Sequence, residues 1–313
     1  MIEQLCSNDT LQQLICAPLK YSFMQNALLA VLMLGLVAGT IGAYVVVRGM
    51  AFMTDALGHA ILPGVAVAYL SGGVHGPLLF GAGVAGSITA LVIGFFTRGG
   101  KIREDTAIGI VFTGALALGL AILSLGKANA VDLDALLVGN ILALSSDDLA
   151  IILIVGLIIL LLVRVFYKEL LIVSFDPVLG ATLKYPVEGL RYLLLLMLAM
   201  TAVIAIQAVG VILIAAMMVT PAATAYLLVR RLHLMMIVGS IICCLSGVFG
   251  VFLSWHLSVS RKLNVSSSAA IVLTMTVVFL IAYLFAPKRG LLWTLFPYQG
   301  KATESVEIEA SAS

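Results

Sequence analysis

Apolar residues run along this chain in long unbroken stretches, neither alternating nor confined to narrow stripes. Such runs predict helices over Phe23 to Val47, Phe52 to Leu70, Pro77 to Thr97, Asp105 to Leu125, Leu149 to Phe166, Tyr192 to Gln207, Val209 to Val229, Met235 to Leu257 and Ala269 to Ala286. About 20 apolar residues suffice for a helix to cross a bilayer, so each run is a candidate span. Backbone groups in hydrocarbon must bond internally, which leaves only helices or a closed barrel. The absence of alternation excludes the barrel. The fold class is therefore an all-α integral membrane protein of nine helices.

Two stretches need a length argument. From Tyr192 to Val229 the only strongly polar side chains are Gln207 and the threonines. One helix of that length would reach roughly 57 Å, nearly twice the hydrocarbon thickness. The run must fold back, and Gln207-Ala208-Val209-Gly210 is the place for it. Val131 to Leu144 is apolar but too short to cross, which reads as a re-entrant or surface helix, with Ser145, Ser146 and Asp147 capping the next span. Residues 1–22 form an N-terminal interfacial segment without the pattern of a secretory signal, 23–289 the transmembrane domain, and 290–313 a cytoplasmic tail, polar and disordered at its end.

Composition agrees with this class: 62% of the residues are apolar, 10% are charged, and the mean hydropathy is +1.19. The net charge of +2 matters less than where the charges fall. With the N-terminus outside, the inner connections hold Arg48; Arg98, Lys101 and Arg103; Arg164, Lys168, Lys184 and Arg191; Arg230 and Arg231; Lys288, Arg289 and Lys301. These are 13 of the 17 basic residues. The asymmetry favours N-terminus out and C-terminus cytoplasmic. Arg261 and Lys262 dissent, and an eight-helix arrangement is the alternative that would accommodate them. Nothing in the composition points to nucleic acid.

Self-contained chemistry is missing from the sequence. Gly126-Lys127 is followed by alanine and lacks the upstream glycine of a phosphate-binding loop, and there is neither HExxH nor GxSxG. The chain reads as a transport subunit, not an enzyme. Cys6 and Cys16 permit a disulfide if the N-terminus is extracellular, whereas Cys243 and Cys244 read as small residues of a membrane helix. On the second span, Asp55 and His59 stand four apart, on one helical face, where they can share a partner. The alternative is a helix start that Asp55 caps. Asp176-Pro177 predicts a short helix in a loop between Phe166 and Arg191, with Gly180 permitting close backbone approach. Pro221, after Thr220, predicts a kink in the seventh span that a gate or simple packing could use, with Gln207 and Gly210 at the preceding reversal.

These residues are also where the sequence becomes familiar. Arg48-Gly49-Met50-Ala51, Asp55-Ala56-Leu57-Gly58-His59-Ala60 and Leu62-Pro63-Gly64-Val65-Ala66 resemble the signature of the zinc, manganese and iron permease family of ABC transporters. Phe175-Asp176-Pro177, Gln207-Ala208-Val209-Gly210-Val211-Ile212-Leu213 and Thr220-Pro221-Ala222-Ala223-Thr224-Ala225 look like the same family, and the likeness runs from about Phe23 to Arg289. It implies a fold similar to the permease of the cobalamin-importer class. The permease would pair with a second copy or a paralogue, take metal from an extracellular or periplasmic metal-binding protein, and be driven by ATP bound on separate cytoplasmic ATPase subunits. The setting would be a bacterial plasma membrane, with lipid around the helices.

In that family the acidic and histidine residues of the motif, here Asp55 and His59, contact the ion in transit. Gly58 stands where the family usually has serine, which removes one hydroxyl ligand. Asp176, Pro177 and Gly180 would couple the permease to the ATPase. No cofactor is implied, only the transported divalent metal: manganese first, with zinc or iron as alternatives, since one carboxylate and one imidazole suit several first-row metals. The rival reading is an ion-coupled secondary transporter using Asp55 as its ion site, although no repeated halves are visible.

Overall fold

The computed structural model describes residues 20–72, 78–100, 102–125, 141, 144–261 and 266–286. The N-terminal segment with Cys6 and Cys16, most of the 131–144 stretch and the 290–313 tail lie outside the described residues. Every regular element among the described residues is a helix: α1 (Ser22–Val47), α2 (Ala51–Ala60), α3 (Leu62–Gly72), α4 (Leu78–Thr97), α5 (Glu104–Leu125), α6 (Ser146–Val165), α7 (Tyr167–Phe175), α8 (Pro177–Thr182), α9 (Val187–Val209), α10 (Val211–Leu228), α11 (Leu232–Arg261) and α12 (Ser267–Phe285). A 3₁₀ turn at Arg98–Gly100 follows α4. With α2 and α3 counted as one span, nine spans among the described residues are long and apolar enough to cross a membrane. The eight-helix alternative is set aside. α11 is about 45 Å long at 1.5 Å per residue, so it carries the chain at Arg261 past the edge of the hydrocarbon.

Local chemistry sets the ends of these helices. α1 stops in a Schellman turn: Gly49 takes φ +70°, the Met50 amide donates to the Val45 carbonyl at 2.9 Å and the Gly49 amide to the Val46 carbonyl at 3.2 Å. α6 starts in a capping box, in which Ser145 Oγ accepts from the Asp148 amide while Asp148 Oδ2 accepts from the Ser145 amide. The cap is thus Ser145 with Asp148, one residue beyond the predicted trio. The run from Tyr192 to Val229 reverses where its length required. Gly210 separates α9 from α10 with φ +83° and ψ 168°, a conformation that essentially only glycine adopts. Ser268 Oγ, from the start of α12, donates to the Val209 carbonyl at 3.3 Å and satisfies an acceptor left open at the end of α9.

The core is centred on α1, which packs against α11, α10 and α6. In its most apolar window 67% of residues are buried, against 11% for α5, so α1 is the middle of the bundle and α5 its edge. Without a hydrophobic driving force in lipid, close packing of small residues holds such helices together. A Cβ on Gly39 would fall 2.5 Å from the Ser240 backbone, so α1 and α11 touch main chain to main chain. Beside that contact Ser240 Oγ donates to the Leu36 carbonyl at 3.1 Å. α3, α4, α5 and α9 form a second packed group, and α6 bridges α1 and α9. Tyr21 and Phe23 meet Trp255 at 5.5 and 6.1 Å, an aromatic cluster at the end of the bundle opposite Arg48, where a membrane interface favours such rings.

Candidate functional site

The second span was expected to be continuous from Phe52 to Leu70 but is broken at Ile61. Pro63 is the cause. Its missing amide cannot reach the His59 carbonyl four residues back, which instead accepts from Ile61. His59 therefore sits in the last turn before a break within a membrane-spanning segment. Asp55 is the fifth residue of α2, beyond its first turn, and the N-cap position is held by Met50. The capping alternative for Asp55 is thereby removed on geometry.

Asp55 is exposed, and it makes no hydrogen bond or ion pair with another described residue. His59 is half-buried, its ring meeting Phe112 of α5 edge-on at 5.6 Å between centroids. One turn apart on one face, the two side chains present a carboxylate and an imidazole to the same space. The other side of α2 is packed: Met53, Thr54, Ala56, Leu57 and Gly58 are buried. Gly58 lies against Val211, where a Cβ would come within 2.6 Å of Val211 Cγ1. The position that bears serine in the resembling family is thus filled by α10 in this chain. Among the described residues no group of three or more His, Cys, Asp or Glu side chains could hold a metal.

The structure keeps the other candidate residues apart from that pair, with one exception. Asp176 caps α8, its Oδ1 accepting from the Val178 and Leu179 amides at 3.0 and 2.9 Å, and Pro177 occupies the first helical position. Gly180 is buried, and a Cβ there would stand 3.2 Å from Val173 and 3.3 Å from Val187, so it is the point where α8 closes on α7 and α9. α7 was not foreseen in this loop. Phe175, Val178, Leu179 and Leu183 form an exposed apolar patch on α7, α8 and the turn after them. Gln207 lies in the last turn of α9, Gly210 at the reversal and Pro221 buried inside α10. Through Val211, the Gly210 turn reaches α2 at Gly58.

One constellation escaped the sequence reading. Glu104 Oε1 accepts from Arg191 Nη2 at 2.6 Å and lies 3.8 Å from Arg48 Nη2, and Arg191 Nη1 donates to the Thr97 carbonyl at 3.2 Å. Burial pulls the Arg48 guanidinium below its ordinary range, Glu104 pushes it back up, and Arg191 lowers it again. In the sequence Arg48 counts as a loop charge and as part of the family-like stretch Arg48-Gly49-Met50-Ala51, and Arg191 as a loop charge. Their separation in sequence hides the cluster, and only the packing of α1, α5 and α9 brings it together.

Known proteins place this architecture. A structure of PsaBC from Streptococcus pneumoniae in complex with Fab superposes with TM-score 0.77 at 39% identity, over 91% of this chain and 99% of that one. A metal-chelate type ABC transporter in an inward-facing conformation matches with TM-score 0.62 at 15% identity, a likeness of fold alone. The manganese transport system membrane protein MntC of Halalkalibacterium halodurans is 42% identical over 274 residues, 88% of this chain and 91% of that protein. The manganese import system permease protein ScaB of Streptococcus gordonii is 39% identical over 269 residues, 86% and 93% of the two chains. Residues 20–286 match the ABC 3 transport family, and this multi-pass membrane protein belongs to that family.

Proposed function

We propose that this chain is the membrane-spanning permease subunit of an ATP-driven manganese importer, and that Asp55 and His59 contact the ion in transit. The observation that carries the reading is the placement of this pair on one face of the broken second span, with Asp55 exposed and His59 half-buried beside it. An ionisable pair within a span is costly against lipid and belongs on a polar path. The neighbouring α5 supports this, since it is the least covered span and lines up Gly109, Thr113, Ala117 and Ala121 on its exposed side. Small residues at four-residue spacing suit close packing with another membrane helix. A second permease copy or a paralogue seated on this face would bring further ligands to the ion. Weak, shared coordination is what a transport path needs, because a full cage would not release its ion.

Manganese is preferred to zinc and iron because the relatives described above are named for manganese; an O/N ligand pair suits all three. ATP is assigned to separate cytoplasmic ATPase subunits, which the apolar patch at Phe175, Val178, Leu179 and Leu183 would meet. Asp176 and Pro177 stiffen α8 for that contact, and Gly180 lets it sit close to its neighbours. The basic-residue asymmetry puts this segment in the cytoplasm, with the N-terminus outside a bacterial plasma membrane, where a metal-binding protein delivers the ion.

Cellular accumulation of manganese, zinc and iron, measured together with and without the chain and with and without its ATPase, tests the reading. Manganese uptake should be lost in both deletions. Uptake that persists without the ATPase would favour the ion-coupled carrier, and loss of zinc or iron uptake alone would overturn the choice of metal.

A further inference from the structure

Three spans of the bundle meet at one carboxylate, and a fourth joins them through Arg191. Glu104 is the first residue of α5; Arg191 lies in the second turn of α9, Thr97 ends α4, and Arg48 follows the last residue of α1. The Glu104, Arg48 and Arg191 side chains are only 26%, 12% and 15% exposed, so the contacts are shielded and the removal of one partner leaves a charge uncompensated. The two arginines are not equivalent. Arg191 and Glu104 belong to the group of α3, α4, α5 and α9, and their contact is the short one. Arg48 belongs to α1, whose main neighbours are α10 and α11, and its contact with Glu104 at 3.8 Å crosses between the groups.

The cluster stands between two elements that transport would have to connect. α8 packs on α9 a few residues before Arg191, and α7 also packs on α9. On the other side, Glu104 opens α5, whose Phe112 two turns further on lies against His59. Packed helices pass displacement as rigid bodies, and a charge-assisted contact at a helix end passes it from one to the next.

We propose that Glu104 is a positioning residue: held by Arg191 and Arg48, it carries displacement of the α7–α8 segment to α5 and so to the Asp55–His59 face. Arg191 ties the drive to α5, and the longer Arg48 contact is the one that yields when the two helix groups shift. The proposal rests on the reading of the chain as an ATP-driven permease.

The test uses the complete complex of permease and ATPase in proteoliposomes, with Mn²⁺ uptake and ATP hydrolysis measured on the same sample. Glu104→Gln should retain ATP hydrolysis while Mn²⁺ moved per ATP falls about fivefold or more, the lower end of a typical coupling effect. Glu104→Asp, which keeps the charge, should recover much of the ratio. An unchanged ratio in Glu104→Gln overturns the proposal. If that variant fails to assemble, Arg191→Lys is read in its place, since it keeps the charge but loses the planar fork whose two arms reach Thr97 and Glu104; an unchanged ratio there overturns the proposal equally. A wild-type complex that moves no Mn²⁺ with ATP overturns the underlying function, whereas a working wild type beside unaffected variants overturns only the role of Glu104.

Discussion

The Cys243 thiol of α11 donates to the Met217 carbonyl of α10 at 3.6 Å. Met217 lies four residues before Pro221, so its carbonyl is the one that proline deprives of a backbone donor. A neighbouring helix thus supplies what the proline removed, one way a membrane helix tolerates proline. Cys243→Ala should lower thermal stability in detergent by about 0.5–1 kcal/mol, the net worth of a modest hydrogen bond. In a Pro221→Ala background the amide of residue 221 can take over, and the same change should cost less. A double-mutant cycle of unfolding midpoints reads the difference, and strict additivity would refute the compensation.

At Gly210 a side chain would have to enter a backbone region reserved for glycine. Gly210→Ala should destabilise the chain by roughly 1–3 kcal/mol and lower its level in the membrane, the cost of such strain. Equal levels and melting of the two proteins would show that the α9–α10 reversal has room to adjust.

Asp55→Asn keeps the shape of the side chain and removes its charge, and His59→Ala removes the imidazole. Both positions face away from the packed side of α2, so each variant should reach the membrane at normal levels while manganese uptake falls by tenfold or more, about 1.4 kcal/mol in transition-state terms. Full uptake in Asp55→Asn would take the carboxylate out of the path.

Asp176→Ala deletes the acceptor for two amides of α8 and should cost about 1 kcal/mol locally. With Pro177→Ala added, stimulation of the ATPase by the permease should drop while the permease itself remains in the membrane. Normal stimulation in the double variant would dissociate α8 from coupling.

In a chain stripped of its own cysteines, His75→Cys should react with an impermeant thiol reagent added from outside, and Lys101→Cys should not. The opposite labelling would invert the topology drawn from the basic residues.

The spans were legible because lipid demands continuous apolar runs, a pattern that survives in one dimension. The reversal at Gly210 was legible from length alone. The break at Ile61 was not: Pro63 was visible, but a break inside an apolar run leaves hydropathy unchanged, and only the turn at Ile61 reveals it. α7 was passed over because its nine residues bury only Leu170 and Val173, too few for a periodic signal. The pairing of Asp55 with His59 followed from helical spacing. The Arg48–Glu104–Arg191 cluster and the Cys243–Met217 contact did not, because each joins residues of different helices at distances that only packing fixes.

The central place of α1 has a consequence for how the protein is made. Its closest partner is α11, and the contacts between them, such as Ser240 with Leu36 and Cys244 with Leu32, join residues 204 and 212 positions apart. Synthesis at about 5–20 residues per second leaves the first span waiting for tens of seconds before the helix it is shaped to fit leaves the ribosome. During that interval the small-residue groove of α1, meant for another backbone, faces lipid or a chaperone of the insertion machinery. Assembly of the bundle is therefore governed by its last quarter, and a chain cut short before α11 would hold most of its spans yet lack the partner that closes its centre.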